Sequence, residues 1–97
     1  MVNTIADVTV AATRAALSST SVRAAWVNIQ ASKSGGNSAV VRVGDVNVTT
    51  ARGGIVPVAI GSSLLLPPCG NANAYDLNGI YVIGTANDTI SVIYETI

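Results

Sequence analysis

The sequence predicts an all-β protein that forms a single-domain antiparallel β-sandwich of about seven or eight short strands. Val, Ile and Thr are abundant in its 97 residues, and apolar and polar residues alternate over several short runs. Clusters of Gly, Asn, Pro and Ser interrupt these runs every 8–12 residues or so, a spacing typical of sandwiches and barrels. A chain of this length has room for one hydrophobic core, so residues 1–97 are predicted to form one domain.

The N-terminal part allows more than one structure. Residues 4–17 alternate in part, with Val8 and Val10 on one face of a predicted strand. Residues 10–17 read VAATRAAL, which is rich in helix formers, so a short helix is the alternative there. Residues 1–7 form either an extended N-terminal arm over a neighbouring molecule or an ordinary frayed end.

The most regular alternation lies in the stretch VRAAWVNIQAS, residues 22–32. One face is small and apolar and is the predicted core face: Ala25, Val27, Ile29 and Ala31. The other face carries Ala24, Trp26, Asn28 and Gln30, so Trp26 is predicted to pack on the sheet or to anchor an interface. The following KSGGNS segment, residues 33–38, is the clearest loop.

The middle of the chain continues as short strands. Val41 and Val43 share a core face within residues 39–45, and Arg42 lies on the opposite face. Pro57 has no N–H to donate, so residues 55–60 form an edge strand or a bulged segment. Residues 61–68 then read as a turn and a short strand, and residues 69–79 as the longest irregular segment.

The C-terminal segment is predicted to form a hairpin from residue 80 to residue 95, with its turn at residues 86–88. Its last strand is apolar on nearly both faces. We expect Ile90 and Val92 to face the core, which leaves Ile93 and Ile97 for contact with a neighbouring subunit.

Composition excludes several classes of function. Apolar residues make up 49% of the chain, charged residues 10%, and the net charge is zero. Proteins that bind nucleic acid normally carry a basic cluster, and none is present in the sequence, so no nucleic-acid partner is predicted. There is neither a signal peptide pattern nor an apolar run long enough to span a bilayer, which predicts synthesis in the cytoplasm and no membrane partner.

The residue types also argue against an enzyme. The chain has no histidine and one cysteine, Cys69, so Ser-His-Asp, Cys-His and zinc arrangements cannot form within it. Cys69 is predicted to be a small, half-buried residue. Oxygen ligands recur in NANAYDLN, at Asn71, Asn73, Asp76 and Asn78, but one carboxylate is too few for calcium. No catalytic residue, metal or cofactor is therefore predicted.

Two segments carry a family resemblance: VRVGDVNVTTARGGIVPVAIGSSLLLPP and LNGIYVIGTANDTISVIYE. Their order of strands and turns resembles small virion proteins of tailed bacteriophages, of the head decoration or cement type. The likeness extends over most of residues 18–96 and includes no catalytic signature. It implies a jelly-roll-like sandwich on the capsid exterior of the virion, made in the cytoplasm of the bacterial host.

The resemblance also implies partners and a mechanism. Such a protein binds the major capsid protein of the same phage, forms a homo-oligomer (a dimer or trimer), and bridges neighbouring capsid subunits. The candidate residues for subunit or capsid contact are Trp26, Arg42, Arg52, Ile93 and Ile97. The alternative is a receptor- or carbohydrate-binding β module of a phage fibre or tail. A concave aromatic patch with planar polar partners would favour that alternative.

Overall fold

The computed structural model describes residues 2–66 and 75–96, and the regular structure in them is almost entirely β. The strands are β1 Val2–Thr9, β2 Ala15–Ala16, β3 Arg23–Ala31, β4 Val41–Gly44, β5 Gly54–Val56, β6 Ser63–Leu66, β7 Tyr75–Asp76, β8 Tyr81–Ile83 and β9 Thr89–Thr96. A single 3₁₀ turn, Leu77–Gly79, lies between β7 and β8, and the described residues form no α-helix. The predicted fold class is confirmed.

The strands form two antiparallel sheets. One sheet has the order β1-β9-β3-β6, with β7 also paired to β3, and the other has the order β2-β8-β4-β5. The pairs β1–β9, β2–β8, β3–β6 and β4–β5 are nested, as in one long antiparallel ribbon closed at β4–β5. Rolling that ribbon adds the pairs β9–β3 and β8–β4 and distributes its segments between two sheets. This is the jelly-roll arrangement.

The core lies between the two sheets and is built from small branched side chains. The five-stranded sheet contributes Val27, Ile29, Ala31, Ile90 and Val92, and the four-stranded sheet contributes Val41, Val43, Val56 and Val82. Burying one such Val or Ile side chain stabilises the fold by about 1.5–3 kcal/mol, so the burial of these side chains is the main interaction that holds the sheets together. The predicted core positions in β3, β4 and β9 are confirmed except for one.

That exception is Ala25, which is half-buried, whereas Ala24 is fully buried. Ala24 pairs with Thr96 and Trp26 pairs with Glu95, so β3 carries one extra residue at this point. Such a β-bulge shifts the alternation by one residue. The prediction of Ala25 as a core residue was therefore wrong, because a strict period of two cannot show a bulge.

The predicted hairpin over residues 80–95 was also wrong. β8 lies in the four-stranded sheet and β9 in the five-stranded sheet, so the turn at residues 84–88 crosses between the sheets. β9 is instead enclosed between β1 and β3. The strand therefore exposes no unpaired backbone edge, although its outward-facing residues Ser91, Ile93 and Glu95 stay half-buried.

The N-terminal segments for which the sequence left two structures open both contain strands. Residues 2–5 and 8–9 of β1 pair with β9, so an edge strand occupies the place considered for an extended arm. Residues 10–17 contain strand β2 at Ala15–Ala16 and no helix. β2 pairs with β8, which shows that tertiary pairing outweighs the helix propensity of this Ala-rich segment.

Pro57 limits the strand in the middle of the chain, as predicted. β5 ends at Val56, directly before Pro57, and it forms the edge of the four-stranded sheet. β6 follows as the predicted short strand on the other sheet. The predictions for Cys69 and for residues 69–74 of the irregular segment lie outside the described residues. The prediction for residues 75–79 was wrong, because β7 and the 3₁₀ turn lie there.

Candidate functional site

The outer face of the five-stranded sheet is a surface that four paired strands position. Cross-strand partners place side chains on it in rows, since directly paired residues share a face. The rows are Val2–Glu95–Trp26, then Thr4–Ile93–Asn28–Leu65, then Ser91–Gln30–Ser63. Apart from Glu95 these side chains carry no charge, so the face is neutral and polar with single apolar residues among the polar ones.

The one charged side chain of these rows has a partner. Trp26 Nε1 donates a hydrogen bond of 3.1 Å to Glu95 Oε1, and both side chains are half-buried. The bond satisfies the indole N–H and fixes the ring against the sheet. Trp26 therefore has a sheet-packing role, as predicted, and part of its surface remains accessible to a partner.

A groove of about 240 Å³ lies in the middle of the outer face. Its lining residues are Thr4, Ile5, Asn28, Gln30, Ser91, Val92 and Ile93. Two features create the depression. Ser91 is small, and β1 has a bulge between Ile5 and Val8, which disturbs the regular row beside it.

The predicted interface residues do not form one surface. Trp26 and Ile93 share the outer face of the five-stranded sheet, in neighbouring rows. Arg42 pairs with Ile55 and Ile83, which places it on the outside of the four-stranded sheet instead. Arg52 is exposed in the turn before β5. Ile97 lies outside the described residues.

Arg42 and Arg52 do lie near each other. Arg42 Nη1 donates a hydrogen bond of 3.0 Å to the carbonyl oxygen of Gly53, the residue after Arg52. The Nε atom of Arg42 is buried and has no hydrogen-bond partner among residues 2–66 and 75–96. Arg52 closes a tight turn through reciprocal backbone hydrogen bonds with Thr49. The two guanidinium groups therefore belong to the β4–β5 corner, on the other side of the sandwich from Trp26.

The apolar edge, as we name it, consists of Ile55, Val58, Ile60 and Leu65, which are all exposed. β5 and β6 are the edges of their respective sheets, and the connection between them runs along the same side of the sandwich. No charged residue occurs in the sequence between Arg52 and Asp76. Ile55 and Leu65 lie on opposite outer faces of the sandwich, and Arg42 is the cross-strand neighbour of Ile55. The uncharged part of the apolar edge is therefore the connection between the two strands, where Val58 and Ile60 are exposed. Exposed apolar surface without charge is characteristic of a contact site.

Asp88 is the centre of a polar cluster that sequence reasoning missed. Its side chain is fully buried, and it accepts hydrogen bonds of 2.9 Å from Ser38 N–H and 3.3 Å from Ala39 N–H. Lys33 Nζ lies 3.3 Å from Asp88 Oδ1 as an ion pair. These contacts join the turn that enters β9 to the loop between β3 and β4.

The cluster extends to every connection between the sheets at this end of the sandwich. The Asp88 carbonyl accepts a 2.9 Å hydrogen bond from Val10 N–H, in the connection after β1. Asn37 Oδ1 accepts from Thr89 N–H at 3.0 Å, and Asn37 N–H donates to the carbonyl of Val58 at 2.8 Å. The Asp88 carboxylate joins two of these connections, and the Asp88 backbone carbonyl and Asn37 join the other two, including the one that carries Val58.

The charge state of Asp88 results from two opposing effects. Burial favours the neutral acid and raises the pKa. The hydrogen bonds from Ser38 and Ala39 and the contact with Lys33 favour the carboxylate, and together they lower the pKa below its ordinary value of 3.8. Asp88 is therefore ionised at neutral pH and acts as a structural anion.

Asp76 is the one carboxylate of the segment in which oxygen ligands recur. Asp76 accepts hydrogen bonds from Ser21 Oγ at 2.7 Å, Val22 N–H at 3.2 Å and Asn78 N–H at 3.0 Å. Bonds from Ser21 first, and then from Asn78, lower the Asp76 pKa. Asn71 and Asn73 lie outside the described residues. No group of three or more potential metal ligands of the His, Cys, Asp or Glu type occurs among residues 2–66 and 75–96.

Comparisons with known proteins identify no relative: no protein-family model, no curated protein and no solved structure matches the chain. Within the described ranges no helix is long and apolar enough to cross a bilayer.

The residues that sequence reasoning missed are Asp88, Thr4, Ser91 and the apolar edge. Of the polar residues that line the groove, only Asn28 and Gln30 could be placed on the outer face from the sequence, since they alternate with the core residues of β3.

Proposed function

We propose that this protein is a non-enzymatic structural protein of a phage virion, which decorates the capsid and bridges neighbouring subunits of the major capsid protein. The observation that carries the proposal is the apolar edge, with Ile55, Val58, Ile60 and Leu65 exposed in a stretch without charge. Contact surfaces that exclude water are depleted in charged residues. The sequence resemblance to cement proteins supplies the phage context.

The fold suits this role physically. A jelly roll with a continuous core is a rigid module, and jelly rolls are common in viral capsid domains. The network around Asp88 holds the connection that carries Val58 and Ile60, so part of the contact surface is ordered before binding. A protein that binds the assembled lattice and not free subunits stabilises that lattice through linkage.

The direct test is binding to capsids of the phage that encodes the chain. We expect the purified protein to co-sediment with expanded, undecorated capsids and to raise the temperature at which they disrupt. Counting its copies in purified virions by mass spectrometry would give a number that matches a symmetric set of lattice sites. Failure to bind the expanded lattice, together with absence from virions, would refute the proposal.

The contact surface has a matched pair of variants. Ile60→Glu places a charge on the apolar edge, whereas Val46→Glu places one at an equally exposed residue outside it, since the two residues are 57% and 50% exposed. We expect Ile60→Glu to weaken capsid binding at least about tenfold and Val46→Glu to have little effect. Equal binding by both variants would exclude the apolar edge as the contact surface.

Self-association is a separate prediction. Several copies that bridge one symmetry axis would form a homo-oligomer, a dimer or a trimer. Sedimentation velocity across a range of protein concentrations should therefore show a species heavier than the 9.8 kDa chain. A monomer at the highest concentration would contradict this part of the proposal and leave capsid binding to be judged by its own test.

The second candidate function is a receptor- or carbohydrate-binding module of a fibre or tail. The groove on the outer face favours it, because two amide side chains and two hydroxyls surround that groove. The expected aromatic patch is reduced to Trp26, which lies beside the groove and does not line it. A module of a fibre or tail would be found in those parts of the particle and would not bind the capsid lattice.

A further inference from the structure

We infer that the groove on the outer face of the five-stranded sheet is a binding site for a neutral saccharide. The groove and the apolar edge use different side chains. The inference therefore does not depend on the capsid proposal; it rests on the second candidate function and specifies the ligand class of its groove. It concerns the residues Thr4, Asn28, Gln30 and Ser91, with Ile93 between them.

The polar side chains of the groove have unused hydrogen-bonding capacity. Thr4, Asn28, Gln30 and Ser91 make no side-chain hydrogen bond to any of residues 2–66 and 75–96. Each amide offers both donors and an acceptor, and each hydroxyl offers both functions. A sugar hydroxyl also donates and accepts, so this set matches a ligand whose surface consists of hydroxyl groups.

The absence of charge in the lining selects the ligand class. None of the seven lining residues is ionisable. Sites for phosphate or carboxylate groups normally use arginine, lysine or helix N-termini, so an anionic ligand would lack a counter-charge here. The apolar side chain of Ile93 offers a surface for the C–H groups of a sugar ring.

The size and rigidity of the groove fit a small ligand. Its volume of about 240 Å³ is below the range of about 300–1,000 Å³ for drug-sized ligands, which indicates one sugar ring or the end of a chain. The lining residues come from β1, β9 and β3, and β9 is paired to both of the other strands. Side chains on paired strands are held in place better than side chains on loops.

The indole ring of Trp26 is not needed for this site. It lies one row from Asn28, and its N–H is bonded to Glu95. The inference therefore rests on the amides and hydroxyls, and replacement of Trp26 is not its test.

The test is an NMR titration of the full chain with a panel of neutral monosaccharides: glucose, galactose, mannose, rhamnose, N-acetylglucosamine and N-acetylgalactosamine. We expect at least one of them to shift the side-chain amide signals of Asn28 and Gln30, with a Kd on the order of 1 mM. N-acetylneuraminic acid is the anionic control and should bind at least about tenfold more weakly.

Matched variants locate the site. Asn28→Ala and Gln30→Ala should each weaken the binding of that sugar by about tenfold, because each removes hydrogen bonds to the ligand. Ser63→Ala is the control, since Ser63 lies in the same row as Gln30 but does not line the groove. Thermal unfolding and backbone spectra verify that all three variants remain folded.

Three results would overturn the inference. The first is the absence of any NMR shift with the whole panel at sugar concentrations of about 50 mM, well above the expected Kd. The second is an equal loss of binding in the Ser63→Ala control. The third is equal or tighter binding of the anionic sugar. None of these results bears on the capsid proposal, which is tested through Ile60.

Discussion

Replacing Asp88 with asparagine is expected to lower the free energy of unfolding by about 2–4 kcal/mol. The carboxylate is fully buried and accepts hydrogen bonds from the N–H groups of Ser38 and Ala39. Asparagine has one acceptor oxygen where aspartate has two, and its NH₂ group would face an N–H donor. In either orientation of the amide the NH₂ group lies beside the Ser38 N–H, and with the oxygen in the Oδ1 position the Ala39 N–H also loses its acceptor. Lys33 loses its counter-charge in both orientations.

The measurement is urea unfolding of the wild type and of Asp88→Asn between pH 7 and pH 3. The pKa of Asp88 is lowered in the folded state from 3.8, so its contribution to stability is fully present above that value. The contribution is lost as the pH falls through the lower pKa of the folded protein. The stability difference between the two proteins should therefore be constant near neutral pH and shrink below about pH 4.

Lys33→Gln separates the ion pair from the backbone contacts. The Lys33 side chain is 36% exposed, so water screens its attraction to Asp88. We expect this variant to lose at most about 1 kcal/mol. If Lys33→Gln cost as much as Asp88→Asn, the ion pair would be the dominant interaction, and the role given to the Ser38 and Ala39 N–H groups would be wrong.

The local structure of this chain was predictable from its alternation and its turn residues. The core faces of β4 and β9 follow from Val41, Val43, Ile90 and Val92, because each strand buries one face and the period is two. Pro57 correctly predicted the end of an edge strand, since proline cannot donate to the ladder. These features depend on neighbouring residues only.

The pairing of β8 and β9 depends on the whole chain and was not predictable in this way. A short turn can join two strands of one sheet, or it can cross from one sheet to the other. The choice here is tied to Asp88, whose partners lie about 50 residues away, in the loop after β3. No local pattern at residues 84–88 shows that Ser38 and Ala39 will be next to them.

The candidate site was predictable only where it depends on local alternation and not where it depends on strand pairing. The shared face of Trp26, Asn28 and Gln30 follows from the alternation within β3. The contribution of Thr4 and Ser91 requires the β1–β9–β3 pairing, which brings together strands from both ends of the sequence. Arg42 and Arg52 were grouped with Trp26 by residue type, and the two-sheet architecture separates them.

Gly53→Ala is the second substitution with a large expected effect, a loss of about 3–5 kcal/mol in the free energy of unfolding. Gly53 has a φ of +125°, which L residues rarely adopt. A Cβ atom there would lie 2.7 Å from the carbonyl oxygen of Val43 and 2.8 Å from Cγ2 of Val48. Val43 belongs to β4 and Val48 is buried, so neither can move away without disturbing the β4–β5 corner.

Gly61→Ala is the control for a positive φ without a steric clash. Gly61 also has a positive φ, of +87°, but a Cβ atom there would have no neighbour within 4 Å. We expect it to cost about 1–2 kcal/mol, the strain of the left-handed conformation alone. Denaturant unfolding of both variants measures the difference, which reports the steric clash at Gly53 together with the larger backbone strain at its φ of +125°. A Gly53→Ala variant no less stable than Gly61→Ala would mean that the corner relaxes, and the Arg42–Gly53 contact would then be expected to change with it.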